Sequence, residues 1–83
     1  MGKYDNIKDR IMKTPTVKDI EPKELQSFLK HYGFKLKRSK GSHFMYEYPT
    51  STKNFMLNIP MHSPVKPTYI DKIRDIIYEL EGW

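Results

Sequence analysis

Cysteine is absent from this sequence. Disulfides and thiolate metal ligands are thereby excluded, and stability has to come from packing. Long apolar runs are missing too: none approaches the roughly 20 residues of a membrane-spanning helix. The amino terminus shows no basic, apolar and small-residue signal pattern, and Asn6 stands where a myristoylation motif requires serine or threonine. These absences lead to the expectation of a soluble, cytoplasmic protein with no membrane partner. Internal repeats and low-complexity segments are also lacking. The 83 residues make one small domain, of a size that buries only about 60–65% of the surface its unfolded chain exposes.

Acidic residues are scarce where it matters most. Between Glu24 and Asp71 the only acid is Glu47, while Lys30, Lys35, Lys37, Arg38, Lys40, Lys53 and Lys66 all fall in that interval. The net charge of +5 is thus concentrated in the middle of the chain. Basic residues interleaved with aromatics suit a polyanion, because each phosphate neutralised releases counterions and aromatic faces stack on unpaired bases. A solvated strand face accounts for the same charges, and composition does not choose between the two.

The elements are legible from periodicity. Tyr4, Ile7, Lys8 and Ile11 lie at helical spacing and predict a short helix over about residues 4–13, ended by Thr14-Pro15. Residues 1–20 thus form an extension that packs on the core, meets a partner or frays, with domain 21–83 following it. In that domain Pro22 fits a first helical position. Leu25, Phe28, Leu29 and Tyr32 form an apolar stripe, and Gly33 supplies the stop, predicting a helix over 22–32. Ile20 is placed to staple onto Leu25. His31, in the last turn, is read as a structural or solvent-exposed residue.

Three strands are predicted next, at 34–38, 43–48 and 54–59, joined by connections at 39–42 and 49–53 rich in Ser, Gly, Thr and Pro. Alternation assigns Phe34, Leu36, Phe44, Tyr46, Phe55, Leu57 and Ile59 to a buried face. Lys35, Lys37, His43, Met45, Met56 and Asn58 then share the opposite face. After a loop at 59–64, Thr68 is taken as the cap of a last helix, with Ile70, Ile73, Ile77 and Leu80 as its stripe and Gly82 as its stop. Two one-sided helices belong on the same face of the sheet. The expected fold class is therefore α+β, of the double-stranded-RNA-binding-domain type, with order α-β-β-β-α after the amino-terminal extension.

The stretch Ser39-Lys40-Gly41-Ser42-His43 delivers a histidine onto the first residue of a strand. An imidazole titrates near neutrality and serves as proton donor or acceptor. Lys35, Lys37 and Lys40 are candidates to neutralise phosphate, and backbone amides around Gly41 and Ser42 to bind an oxyanion. Ser42 is read as a turn residue and not a nucleophile, since no acid-histidine arrangement surrounds it. His62, flanked by prolines, is either a loop residue or a second functional imidazole. Three scattered histidines without thiolate or carboxylate spacing do not make a metal site, so no metal or other cofactor is expected.

Gly-Phe-x-Leu-x-Arg-x-Lys-Gly-Ser-His at 33–43, Ile-Pro-x-His at 59–62 and Lys-x-Thr opening the final helix together resemble the HicA toxins of bacterial toxin-antitoxin pairs, over about residues 21–82. The resemblance implies a metal-independent endoribonuclease of the RNA-binding-domain fold that cuts messenger RNA and is silenced by a HicB antitoxin. It also implies that His43 is the catalytic histidine and that His62 is the second motif histidine. Phe44 stands where many members carry a second consecutive histidine, and Pro67 where many carry glycine. Two alternatives remain beside it: a non-catalytic RNA-binding module, and an interaction domain whose basic face meets an acidic protein.

Overall fold

The computed structural model describes residues 3–82; Met1 and Gly2, on which the amino-terminal signal reading bears, and Trp83 lie outside it. Element order is α1 (Lys3–Met12), α2 (Pro22–Tyr32), β1 (Lys35–Lys40), β2 (His43–Pro49), β3 (Asn54–Pro60) and α3 (Pro67–Glu81). The strands form one antiparallel meander in the order β1-β2-β3. This is an α+β fold with the expected α-β-β-β-α order, preceded by α1. Among the described residues no helix is long and apolar enough to cross a membrane.

Alternation in β3 is complete: Phe55, Leu57 and Ile59 are buried, while Asn54, Met56 and Asn58 are exposed. Tyr46 of β2 pairs with Leu57, and both join a core cluster with Leu25, Phe28 and Leu29 of α2 and Ile70, Ile73 and Ile77 of α3. The helices thus cover one face of the sheet. Full burial of a side chain such as leucine or isoleucine contributes roughly 1.5–3 kcal/mol, so this cluster is the main source of stability in a cysteine-free chain.

Helix α2 starts where the sequence places it, with Pro22 in its first turn and the Glu21 N–H donating to the Glu24 carboxylate at 2.8 Å. It ends at Gly33, whose φ of 123° suits a residue without a Cβ. There the Phe34 N–H reaches back to the Leu29 carbonyl at 2.9 Å, closing the last turn.

The structure departs from the expected pattern at four places. First, α1 is part of the core: Ile7 and Ile11 are buried. Arg74, itself buried, donates from α3 to the carbonyls of Ile11 and Lys13 at 3.3 and 2.6 Å. Of the three fates open to the extension, packing on the core is the one observed. Second, α3 begins at Pro67 with Lys66 as the capping residue, so Thr68 lies inside the first turn. Third, β1 runs to Lys40, leaving only Gly41 and Ser42 as the connection. Fourth, Leu36 is 49% exposed. It shares the helix-facing side with its partner Tyr46 but sits on the edge strand, where an open hollow separates it from Gln26 and Lys30 of α2.

Arg10 ties α1 to α2 through two contacts to the Glu24 carboxylate, at 2.9 and 3.3 Å. Those hydrogen bonds hold the Glu24 carboxyl below its ordinary range. A depressed folded value means stabilisation that is complete above the unfolded pKa of about 4.3 and lost as pH falls through the folded one. Glu24→Gln, which keeps an acceptor for the Glu21 N–H, is expected to lower stability at pH 7 by about 0.5–1 kcal/mol. Melting curves should show the deficit closing in acid; an equal deficit at pH 7 and pH 2 would assign the effect to shape instead of charge.

Candidate nucleic-acid interface

The face of the sheet turned away from the helices is read directly from the register. Lys35 pairs with Glu47, Arg38 with Met45, and Lys40 with His43; across β2, His43 pairs with Pro60, Met45 with Asn58, and Glu47 with Met56. Between Leu36 and Arg38 the register of β1 shifts by one residue. This bulge sets Lys37 and Arg38 together opposite Met45, so both cations fall on the open side. Lys37 confirms its side by reaching the Glu47 carboxylate at 3.3 Å. Strict alternation would have turned Arg38 toward the helices; the bulge is what adds it to the face.

The expected site residues divide between two ends of this face. Lys35 and Lys37 gather around Glu47, which also accepts from the Asn54 side chain at 3.2 Å. The Asn54 hydrogen bond first, and then Lys37, keep this carboxyl below the usual glutamate range. His43 lies four residues away along β2, about 13 Å at strand spacing. Lys35 and His43 therefore stand at opposite ends of the face.

At the other end stand His43, Lys40, Gly41, Ser42 and His62. His43 is exposed, and among the described residues no side chain hydrogen-bonds its imidazole. Gly41 and Ser42 form a two-residue hairpin loop in which Gly41 alone has a positive φ, 59°. Among the described residues their N–H groups donate to no backbone carbonyl. The Ser42 carbonyl, by contrast, accepts from the Met61 N–H at 2.6 Å. That bond extends the β2-β3 ladder past Pro60, and the His62 N–H then closes back on the Pro60 carbonyl at 3.0 Å, a three-residue turn. His62 is thereby carried to the same end of the sheet as His43.

The loop bearing His62 is pinned from below through Ser63 and Val65, which the sequence did not single out. Ser63 Oγ donates to the Glu21 carboxylate at the start of α2, and the Val65 N–H donates to the Ile20 carbonyl at 2.8 Å. Val65 and Ile20 are both fully buried. A lone branched apolar residue between Pro64 and Lys66 was the available signal.

His31 is not part of this surface. It stacks on Tyr4 of α1, ring centroids 4.0 Å apart and planes 7° from parallel, in keeping with a structural reading. Among the described residues no cluster of histidine, aspartate and glutamate could hold a metal ion.

A family model described as the HicA toxin of bacterial toxin-antitoxin systems matches residues 22–79. No curated protein and no solved structure matches the chain.

The positive φ at Gly41 is a testable demand of the turn. A Cβ there would meet nothing within 4 Å, so the cost of Gly41→Ala is conformational, about 1–2 kcal/mol. The melting temperature should fall by roughly 4–15 °C in a chain of this size, with amide shifts concentrated at Lys40 and His43. An unchanged melt would mean that the turn does not require glycine.

Proposed function

Because the chain belongs to the HicA toxin family of bacterial toxin-antitoxin systems, we propose that it is an endoribonuclease that cleaves messenger RNA with His43 as the catalytic histidine. The observation that carries this reading is the unpartnered, exposed imidazole at the start of β2, beside two backbone N–H groups that donate to no carbonyl and on a face where cations far outnumber the one carboxylate.

In the proposed step the 2′-oxygen of one ribose attacks the adjacent phosphorus while its proton passes to a base, and the bond to the 5′-oxygen breaks as that oxygen gains a proton. The products are a 2′,3′-cyclic phosphate and a free 5′-hydroxyl. His43 supplies proton transfer. Lys40, directly across the strand pair, and the Gly41 and Ser42 amides meet the charge that builds on the phosphoryl oxygens. His62 holds RNA at the same end. Lys35, Lys37 and Arg38 carry neighbouring phosphates toward Glu47. None of these roles uses a metal ion, so cleavage is expected to persist in chelator.

A toxin has a cognate antitoxin, and the proposed partner is a HicB-like protein that covers the open face and excludes RNA from His43. Binding the folded toxin alone would raise its apparent stability by mass action.

His43→Ala is expected to lower cleavage of a long single-stranded RNA by about 100- to 10,000-fold while leaving the melting temperature and the antitoxin complex intact. Cleavage at the parental rate by this variant would sink the assignment. Arg38→Ala addresses the non-catalytic alternative: it should weaken RNA binding uniformly and reduce the slope of log affinity against log salt by about 1. Retained, salt-dependent binding without cleavage by the parent would establish an RNA-binding module. Affinity that ignores salt would remove the phosphate-binding role of the face.

A further inference from the structure

At the β3 edge of the sheet, where the open face meets α3, lies a hollow of about 380 Å³ that the cleavage step does not use. Its floor is Met45 and Met56, its rim Asn58, and its outer wall Lys72, Asp75 and Ile76 of α3. Met45 is two residues along β2 from His43, about 7 Å at strand spacing, and Asn58 is its partner on β3. One end of the hollow is therefore a single side-chain repeat from the histidine along β2. Its volume falls in the range of small-molecule sites.

The lining has the chemistry of a base pocket. Two thioethers and an isoleucine form a flat, polarisable, apolar bed, and methionine sulfur packs favourably against aromatic rings. Met56 is 52% exposed, a large apolar surface left to water. The polar groups sit only at the margin. Asn58 offers one acceptor and two donors, while the Asp75 carboxylate only accepts. Among the described residues neither side chain hydrogen-bonds or pairs with another group. Lys72 stands one helical turn from Asp75 on α3, its ammonium 5.5 Å from the Tyr69 ring centroid, and supplies the cation an adjoining phosphate requires.

We infer that this hollow seats one unpaired RNA base next to the nucleotide held at His43, and that it selects bases carrying an exocyclic amine over uracil. The selection follows from Asp75. An acceptor-only group needs N–H donors on the base edge, and adenine, cytosine and guanine each present an amino group, whereas uracil presents a single ring N–H between two carbonyl oxygens that a carboxylate repels. Asn58 completes the edge with whichever partner the amine's neighbour needs. The subsite gives sequence preference to the ribonuclease proposed above and rests on that reading for its purpose, though not for its detection.

The test uses the His43→Ala protein, full chain, with carbon-13 on the methionine ε-methyls, titrated with uridine hexamers and with hexamers carrying one central A, C or G. Resonances of Met45 and Met56 should move while that of Met12, on α1, does not. At least one amine-bearing hexamer should bind tenfold or more tightly than the all-uridine one. Asp75→Asn should narrow that difference, and Asn58→Ala should weaken the preferred hexamer by about 5- to 150-fold, the discrimination of one good base contact. Both positions are exposed or half-exposed at the rim, so a melt that matches the parent accompanies each variant. Static Met45 and Met56 resonances, or equal affinity for all hexamers, overturn the inference. Failure of the ribonuclease reading is scored separately, by absence of cleavage with the parent protein, and leaves the methyl shifts readable.

Discussion

Register is the constraint on which the open face depends. Because side chains alternate across a sheet, a one-residue slip of β2 against its neighbours would bring His43 and Met45 into the core and turn Tyr46 to solvent. Nothing in the strand sequence forbids that slip locally. What forbids it is the helix layer: Tyr46, Leu57 and Ile59 are buried against residues of α2 and α3 in one cluster, and removing such groups from that environment costs several kcal/mol in sum. Burial on one side thus decides which groups are presented on the other, and the basic surface is held in place by an apolar one that never touches a ligand.

The bulge in β1 shows how a local defect serves that surface. A regular strand delivers every second residue to a face; the extra residue at the bulge delivers Lys37 and Arg38 consecutively. Three further cations, Lys35, Lys40 and the partly paired Lys53 with its contact to Glu79, border the same sheet. An edge strand so rich in lysine also discourages pairing with another copy of itself. The cations of β1 therefore guard the exposed edge and its half-open Leu36 as well.

Much of this was legible in the sequence because the signals are short-range. Pro22, the stripe from Leu25 to Tyr32 and Gly33 give α2 to the residue, and the alternation in Asn54-Phe55-Met56-Leu57-Asn58-Ile59 gives β3. Apart from the start of α3, the departures are cases where a partner distant in sequence overrules local pattern. Leu36 reads as core until the position of α2 leaves the edge uncovered. Arg38 reads as inward until the bulge shifts it. Thr68 is a better capping residue than Lys66, yet the Pro67 ring, suited to a first helical position, starts α3 earlier. The thin stripe of α1 becomes core by packing into the common apolar cluster, with Arg74 of α3 donating to its last carbonyls. At the site, the motif around His43 was visible as a local string, whereas the convergence of His62 depends on the Met61 to Ser42 bond, which no local rule contains.

That convergence makes the segment ahead of α2 relevant to chemistry it does not touch. Ile20 and Glu21 hold the loop that carries His62, through the Val65 N–H and the Ser63 hydroxyl. Arg10 in turn contacts the Asp19 carbonyl and carboxylate at 3.1 and 3.3 Å while bonding Glu24. A continuous set of contacts therefore runs from α1 through the start of α2 to the loop that carries His62. Positioned groups lose efficiency when displaced by as little as about 1 Å, so the geometry at His43 and His62 depends on side chains on the far side of the core. The extension is therefore a structural support for the loop end of the face.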